Sequence, residues 1–378
     1  MNDTSIFKYK VGIITDWLVS PGGADRFLLS LLKVFPKADV YTAVYNKEAY
    51  QGEFNIPVNV KTTFIQKLPF KKTLSRHYNL LTPVAFENLD LRQYDLVISI
   101  SAGPAKGVIT GLHQKHIAMI LTPPRYLWDN EQNFRSSRFR KLYSFVSPFM
   151  SGYLRIWDLS AVKRADSLIS ISSFIQRKVK KIYSEESEVI YPGLADDWFD
   201  PVQNIDSKNL QIFPKYFLIV SRLYDYKRID WAIRAAVETG VNLVIVGEGP
   251  DRKYLEKLAD DRRNIRFLGW IPKDTLKFVY SHAEALLFCG IEDFGYVPVE
   301  AMSQGTPVIA FNQGGVCETV AEGKSGEFFD SYESLVSSMT LFRKDRYDKE
   351  AIVDRARLFS ESKFRKRFIK FIQNELAK

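Results

Sequence analysis

The sequence has few cysteines and histidines and no long apolar run. Cys289 and Cys317 are its two cysteines, and four histidines are spread over 378 residues. With so few soft ligands we expect neither a structural disulfide nor a zinc site. No stretch of about 18 apolar residues occurs, which argues against a membrane-spanning helix. Residues 1–10 also lack the apolar core of a signal peptide. These absences predict a cytoplasmic protein with buried thiols.

The charge balance is basic. Lys and Arg number 53 against 44 Asp and Glu, which gives a formal net charge of +9 and a pI near 9.2. Such an excess leaves three classes of partner open: nucleic acid, an anionic membrane surface and phosphorylated small molecules. Hydrophobic residues make up 46% and charged residues 26% of the chain, a balance typical of a globular protein. At 378 residues the chain exceeds what one hydrophobic core usually serves, so two domains are expected.

Short runs rich in β-branched residues alternate with helical patterns along the whole chain. This alternation is typical of βαβ units and predicts an α/β fold of two doubly wound, Rossmann-like domains facing a cleft. In the first half the predicted strands are residues 10–14, 39–42, 95–100, 117–121, 167–171 and 188–191. In the second half they are residues 216–220, 242–246, 265–268, 285–288 and 307–310.

Breakers and acids cluster in residues 192–197, which marks a domain boundary. The predicted organisation is a first domain of residues 1–194, a second of residues 195–359, and a closing amphipathic helix of residues 360–378. The apolar stripe of that helix consists of Phe364, Phe368, Ile369 and Ile372. Ligands bind beyond the carboxyl ends of the strands in such sheets, so functional residues are expected in the loops there.

Two segments of the second half have the chemistry of a nucleotide-diphosphate site. Arg222 and Lys227 lie on the loop after the strand at 216–220 and supply a planar fork and a point charge for phosphates. The alternative is an ordinary solvated loop. Segment 292–300 pairs Glu292 with Glu300 around a turn, and its backbone amides are expected to open an anion site at a helix start. There the alternative is that Glu300 merely favours the positive helix end, at roughly 0.3–1 kcal/mol.

These residues resemble glycosyltransferase family 4, a large family of retaining enzymes with the GT-B fold. The resemblance extends to VGEGP at 246–250, FLGW at 267–270, EAM at 300–302 and GTPV at 305–308. In the first half, DLVIS at 95–99, AKG at 105–107 and TPPRYLWD at 122–129 resemble a mannosyltransferase-like branch that builds bacterial surface polysaccharides. The resemblance also implies that the closing helix crosses back to the first, acceptor-binding domain.

The family resemblance implies a role for each position. Arg222, Lys227 and Glu292 form the implied catalytic set, with the two cations on the donor diphosphate and Glu292 on the transferred sugar. The implied donor-binding residues are Glu300 on the ribose, with Phe294, Gly295, Tyr296, Val297, Gly249, Trp270, Gly22 and Gly23. Glu292 is assigned sugar binding, because the family is discussed in terms of front-face displacement, in which the leaving phosphate helps to deprotonate the acceptor. The Asp-x-Asp metal motif of the other common glycosyltransferase fold does not occur, so we expect neither a metal nor a cofactor.

Two features of the first half bear on the substrate. Gly22 and Gly23 resemble the family's first glycine-rich loop, although a tight strand-to-helix turn would also need glycine. Leu121 stands where the polysaccharide branch commonly has a histidine over the donor sugar. If that histidine mainly binds a hydroxymethyl oxygen, Leu121 suits a 6-deoxy or otherwise less polar sugar. If its carbonyl is the useful group, the donor is unchanged, and weak or lost activity is a third explanation.

Basic and aromatic residues cluster in residues 61–78 and 134–153. Such clusters favour a peripheral contact with an anionic membrane, here the inner face of the cytoplasmic membrane. The alternative is a solvated face beside ordinary core aromatics.

Taken together, these features predict a metal-independent, retaining hexosyltransferase. Its donor would be GDP-mannose or another nucleotide-diphosphate hexose or 6-deoxyhexose. Its acceptor would be a glycan or a polyprenyl-diphosphate-linked glycan of bacterial surface polysaccharide or lipopolysaccharide synthesis. The alternatives are a GT-B sugar-nucleotide epimerase or phosphorylase, or a basic nucleic-acid-binding protein. The last leaves the paired glutamates unexplained, so no nucleic-acid partner is expected.

Overall fold

The computed structural model describes residues 8–69, 75–129, 140–202, 210 and 212–378, and the side chains of all of these except residues 53, 75–77 and 140–149. The chain divides into two compact units, Met1–Tyr191 with Phe364–Lys378 and Pro192–Lys363. The observed boundaries fall after Tyr191 and after Lys363. The predicted boundaries, after residues 194 and 359, lie within a few residues of them. Leu194 stays with the second unit because its N–H donates to the Phe359 carbonyl oxygen at 2.8 Å and its own carbonyl accepts from Glu361 at 2.7 Å.

The first unit is built on a parallel sheet. Its described strands are β1 (Val11–Thr15), β2 (Asp39–Thr42), β3 (Val60–Thr62), β4 (Leu96–Ser101), β5 (Lys115–Ile120), β6 (Ser167–Ser170) and β7 (Glu188–Val189). They are ordered β3-β2-β1-β4-β5-β6-β7. The helices between them are α1 (Gly23–Val34), α2 (Thr82–Glu87), α3 (Arg125–Trp128), α4 (Arg140–Val162) and α5 (Ser173–Tyr183).

The second unit repeats the scheme. Its described strands are β8 (Phe217–Val220), β9 (Leu243–Val246), β10 (Ile265–Gly269), β11 (Ala285–Phe288), β12 (Val308–Phe311) and β13 (Gly326–Phe329), all parallel and ordered β10-β9-β8-β11-β12-β13. Its helices are α6 (Ile229–Thr239), α7 (Arg252–Ala259), α8 (Lys273–His282), α9 (Tyr296–Ser303), α10 (Val316–Thr319), α11 (Tyr332–Leu341) and α12 (Lys349–Arg357). The last helix, α13 (Glu361–Leu376), begins here and belongs to the first unit from Phe364.

The central strands are apolar on both faces, as expected where helices cover both sides of a parallel sheet. All residues of β1, β9 and β11 are buried. Strand order reverses between β1 and β4 in the first sheet and between β8 and β11 in the second. The predicted α/β class with two Rossmann-like parallel sheets is therefore confirmed. The carboxyl ends of these four strands are the places where each sheet would receive a ligand.

Helix α13 completes the core of the first unit. The ring centre of Phe364 lies 5.1 Å from that of Phe27 on α1, and Phe368 packs against Phe35 at 6.4 Å. Phe364, Phe368 and Ile372 of the predicted stripe are fully buried, and Ile369 is partly buried against the same cluster. None of the helices in the described part of the chain combines the length and apolar character needed to span a bilayer.

A buried histidine makes the stability of the first unit depend on pH. The imidazole of His116 on β5 lies in the core, where its Nε2 shares a hydrogen bond of 2.9 Å with Ser99 Oγ. Burial lowers the pKa of His116 from 6.5 to about 4. Folding therefore favours neutral His116, and this stabilisation is complete above pH 6.5 and is lost as the pH falls towards 4.

We predict that the free energy of unfolding of the first unit falls by about 3 kcal/mol over this range because His116 must take up a proton. His116→Gln, which has no such proton to take up, should lack this component in urea unfolding at a series of pH values. His113→Gln removes an exposed histidine and should keep the wild-type pH dependence. Equal pH dependence in all three proteins would contradict the assignment.

Candidate active site

Two loops meet at the carboxyl edge of the second sheet, where the strand order turns from β8 to β11. One loop carries Arg222 and Lys227, and the other carries Glu292. Lys227 Nζ forms an ion pair with Glu292 Oε1, with 14% and 25% of the two side chains exposed. Gly290 permits the approach, because a Cβ there would lie 3.0 Å from Lys227 Cα. Two of the three residues of the implied catalytic set are thus in contact at the expected edge.

Aromatic rings lie beside both cations of the first loop. The Arg222 guanidinium carbon lies 5.8 Å from the ring centre of Tyr224, and Lys227 Nζ lies 5.0 Å from that of Tyr226. The two rings are 5.8 Å apart. Contacts of this kind orient a cation without neutralising its charge. Neither tyrosine was among the predicted site residues, although both were visible as neighbours of Lys227 in the sequence.

A pair of glycines supports the segment that carries Glu292. Gly314 has φ +95°, and a Cβ there would lie 2.5 Å from the Glu292 carbonyl oxygen. A Cβ on Gly315 would lie 2.5 Å from the Asp293 carbonyl oxygen. The Gly315 N–H donates to the Glu292 carbonyl oxygen at 2.8 Å. Side chains at these two positions would push the segment away. The two glycines therefore let the loop after β12 pack directly against the backbone of Glu292 and Asp293. Sequence reasoning missed both glycines.

Glu300 is held inside the second unit. It lies in α9, which begins after Gly295 with φ +88°, and Pro298 falls in the first turn as predicted. Only 2% of Glu300 is exposed, and its Oε2 accepts a hydrogen bond of 2.9 Å from Tyr280 Oη. A carboxylate that merely favoured the helix start would lie in solvent, whereas this one is buried and oriented by a partner from α8. Tyr280 is a supporting residue that the sequence did not reveal.

The turn before α9 divides its residues between core and surface. Phe294 is buried, with its ring centre 5.3 Å from that of Tyr296 and 5.9 Å from that of Phe359. Gly295, Tyr296 and Val297 are partly exposed at the helix start. The Phe294 side chain therefore anchors the turn, while the exposed residues after it place the first backbone amides of α9 at the surface.

Gly249 follows β9, the neighbour of β8, and Trp270 follows β10, the edge strand beside β9. A Cβ on Gly249 would lie 2.3 Å from the Leu223 carbonyl oxygen, so this loop packs directly behind the Arg222 loop. The Gly247 N–H donates to the Gly269 carbonyl oxygen at 2.8 Å and so joins the loops after β9 and β10. Trp270 lies just beyond, with 75% of the residue exposed. These loops border the Arg222 side of the site.

In the first unit, Gly22 and Gly23 lie at the start of α1. The Gly22 N–H donates to Asp25 Oδ2 at 2.7 Å, and Gly23 is the first residue of the helix. Gly22 has an extended φ of −164°, and the nearest atom to a Cβ there would be 3.8 Å away. The backbone at Gly22 therefore does not itself require glycine.

Leu121, at the place of the family histidine, directly follows β5. It is partly buried against the core cluster of the first unit, so its side chain contributes to packing. Among the described side chains, no group of three or more His, Cys, Asp or Glu is placed to hold a metal ion.

Residues 203–359, which are less than half of the chain, match the family model described as "Glycosyl transferases group 1". The uncharacterized glycosyltransferase MJ1607 of Methanocaldococcus jannaschii is 32% identical over 177 residues, which are 42% of this chain and 45% of that protein. The O-antigen chain mannosyltransferase RfbU of Salmonella typhimurium is 30% identical over 167 residues, again 42% and 45% of the two chains. The matches thus span under half the length of these relatives.

The fold likeness covers far more of the chain than the sequence matches. The crystal structure of Anabaena Alr3699/HepE in complex with UDP superposes with a TM-score of 0.71 at 18% identity, over 97% of this chain and 100% of that one. At this identity the comparison shows the fold alone. Residues 203–359 thus match the glycosyl transferases of group 1, and the chain as a whole shares the two-domain fold of solved GT-B glycosyltransferases.

Proposed function

We propose that this protein is a metal-independent, retaining glycosyltransferase of family 4 type that binds a nucleotide-diphosphate sugar in its second unit. The observation that carries the proposal is the Lys227–Glu292 ion pair at the β8–β11 edge, beside Arg222. The match of residues 203–359 supports it. HepE, which has the same fold, was solved with UDP, and RfbU is named a mannosyltransferase.

The contact between Lys227 and Glu292 suggests how donor binding is sensed. A diphosphate competes with Glu292 for the ammonium of Lys227, because phosphate oxygens offer more negative charge than one carboxylate. Once Lys227 turns to the phosphates, Glu292 is released to accept hydrogen bonds from hydroxyls of the transferred sugar. Arg222 adds a planar fork for the same phosphates, and the buried Glu300 carboxylate binds the ribose hydroxyls.

We propose the front-face reaction that the family resemblance implies. The bond between the sugar's anomeric carbon and the β-phosphate oxygen breaks, and the acceptor oxygen bonds to the same face of that carbon. The acceptor proton passes to the leaving phosphate. Negative charge grows on the diphosphate as it leaves, so Arg222 and Lys227 stabilise the transition state more than the ground state. No covalent bond to Glu292 is needed.

For the acceptor we propose a glycan or a polyprenyl-diphosphate-linked glycan of bacterial surface polysaccharide synthesis, bound by the first unit. The name of RfbU, an O-antigen chain mannosyltransferase, supports this class. Leu121 has an apolar side chain that packs against the core and cannot bind a hydroxymethyl oxygen. For the donor we propose GDP-mannose or another nucleotide-diphosphate hexose or 6-deoxyhexose. A donor panel in which GDP-mannose works best would refute a preference for 6-deoxy sugars.

We also propose that the protein works in the cytoplasm on the inner face of the membrane, through an apolar surface of the first unit. Its members lie on or beside the neighbouring helices α2 and α4, which are joined by the hydrogen bond from Trp157 Nε1 to Glu87 Oε1 at 2.8 Å. The exposed apolar residues there are Leu81, Val84, Tyr153 and Ile156. Most of the cations of the two predicted basic stretches, residues 61–78 and 134–153, lie outside the described side chains: Lys71, Lys72, Arg76, Arg135, Arg138, Arg140 and Lys141.

The donor site is tested by binding and turnover in glutamate variants. At least one of UDP, GDP and dTDP should stabilise the wild-type protein in thermal-shift and calorimetric titrations. Glu300→Ala should weaken that nucleotide roughly 10- to 100-fold, as expected for loss of hydrogen bonds to a charged group. Glu292→Gln should keep or raise nucleotide affinity, because Lys227 loses its competitor, and should abolish sugar transfer.

Glu256→Gln is the matched control, because Glu256 is a half-exposed glutamate on α7 that pairs with Arg252. It should behave as wild type in both assays. Failure of all three nucleotides to bind would refute the proposed function, and loss of binding in Glu292→Gln with retention in Glu300→Ala would reverse the two roles.

The membrane surface is tested with vesicles of phosphatidylethanolamine and phosphatidylglycerol. Val84→Glu with Ile156→Glu should lower co-sedimentation at least severalfold, because each places a charge where an apolar side chain enters the interface. Leu341→Glu, which alters an exposed apolar residue of the second unit, should leave binding unchanged. Equal binding of both variants would show that this surface is not the contact.

A further inference from the structure

A lysine and an aspartate are buried as an ion pair in the first unit. Lys106 lies in the short helical turn Ala105–Gly107 after β4, and Asp158 lies on α4. Lys106 Nζ is 2.5 Å from Asp158 Oδ1, and 1% of each side chain is exposed. The predicted donor-site residues do not include either one. Lys106 belongs to the AKG motif, whose role the proposed function leaves unassigned.

Asp158 collects donors from three separate elements. Its Oδ1 forms the ion pair with Lys106 Nζ, and its Oδ2 accepts hydrogen bonds of 2.8 Å from both Trp128 Nε1 and Tyr183 Oη. Trp128 lies on α3 after β5, and Tyr183 lies at the end of α5. Burial, together with the proximity of the Asp158 carboxylate, raises the pKa of Tyr183. One carboxylate thus ties the segment after β5 to α4, to α5 and to the turn after β4.

The same network reaches the end of β1. Lys106 Nζ also donates to the Gly103 carbonyl oxygen at 2.7 Å. Asp16, which follows β1, accepts hydrogen bonds of 2.7 Å from the N–H groups of Ala102 and Ala105. The loops after β1, β4 and β5 are therefore linked through buried polar groups at the carboxyl edge of the first sheet.

Residues 121–129 are fixed at three successive positions by α4 and α5. Arg155 Nε donates to the Leu127 carbonyl oxygen at 2.7 Å, Trp128 binds Asp158, and Asp129 forms an ion pair with Lys178 at 3.2 Å. This is the segment that begins with Leu121. Its backbone position is thus determined by side chains of helices behind it and not by the sheet alone.

Stability does not account for this arrangement. Removing two charges from water costs several kcal/mol per ion, and apolar side chains of similar volume often replace a buried pair without loss of stability. A buried network of hydrogen bonds and ion pairs instead favours one geometry. The network lies at the strand ends where a ligand of this sheet would bind. The Lys106–Asp158 pair therefore maintains the geometry of the loops at that edge.

We propose that Asp158 and Lys106 are positioning residues that hold residues 121–129 in place for substrate recognition by the first unit. The inference rests on the proposed function for the identity of the substrate, a sugar-bearing molecule recognised through its hydroxyl groups. Neither residue touches the substrate. They act through the segment, whose rigidity lowers the entropy lost on binding.

The first test is hydrogen–deuterium exchange in two kinds of variant. Trp128→Phe removes one N–H and keeps a smaller aromatic ring, and it should raise exchange in peptides of residues 121–129 at least about fivefold, the value of one net hydrogen bond of about 1 kcal/mol. Lys106→Met with Asp158→Leu removes both charges at similar volume, and with them the acceptor of the Trp128 N–H and the Tyr183 O–H. It should therefore raise exchange in these peptides further and lower the unfolding midpoint. Tyr332→Phe, which removes one O–H and its hydrogen bond to Glu238 in the second unit, is the control.

The second readout is turnover, measured as hydrolysis of the nucleotide sugar that binds best. The Trp128 variant and the double variant should lower kcat and leave nucleotide affinity unchanged, whereas Tyr332→Phe should change neither. Unaltered exchange at 121–129, a uniform rise across the first unit, or increased exchange with unaltered kcat would each overturn the inference. A wild-type protein that binds no nucleotide would refute the proposed function instead, and the exchange data would still test the network.

Discussion

The ion pair between Lys227 and Glu292 is the interaction on which the account of the second unit depends. It joins the loops after β8 and β11 at the reversal of strand order. Gly290 lets the two loops approach, and Gly314 and Gly315 support the Glu292 segment from the next loop. In the proposed mechanism the pair also makes donor binding an exchange, since phosphate takes Lys227 and leaves Glu292 for the sugar. Recognition of the two halves of the donor is thereby coupled.

The two sheets handle charge at their carboxyl edges in different ways. In the second unit, the pair is partly exposed and can change partners, which suits a site that must receive and release a charged ligand. In the first unit, the Lys106–Asp158 pair is fully buried and its donors are bound, which suits a fixed frame. Asp16 extends that frame to β1, and burial raises the pKa of its carboxyl to about 6. We therefore assign the partly exposed pair of the second unit to the proposed chemistry and the buried pair of the first unit to positioning.

The sequence was sufficient for the central strands of both sheets but missed two of the four edge strands. Each predicted strand lies within two residues of an observed one, because β-branched runs buried on both faces leave a clear signal. The edge strands β3 and β13 were missed, since Val60–Thr62 and Gly326–Phe329 are short and carry polar residues or glycine. The candidate site shows a similar contrast. Lys227 and Glu292 were predicted from their positions in loops after strands, and they are in contact. Tyr280 and Asp158 bind residues that are distant in the sequence, so no local pattern reveals them.

A crystal structure with the tightest-binding nucleoside diphosphate tests the central claim most directly. The account predicts the diphosphate oxygens on Arg222 and Lys227, the ribose hydroxyls about 2.6–3.2 Å from the Glu300 carboxylate, and Lys227 parted from Glu292. A nucleotide bound elsewhere, or bound with the Lys227–Glu292 pair intact and no phosphate on either cation, would contradict it.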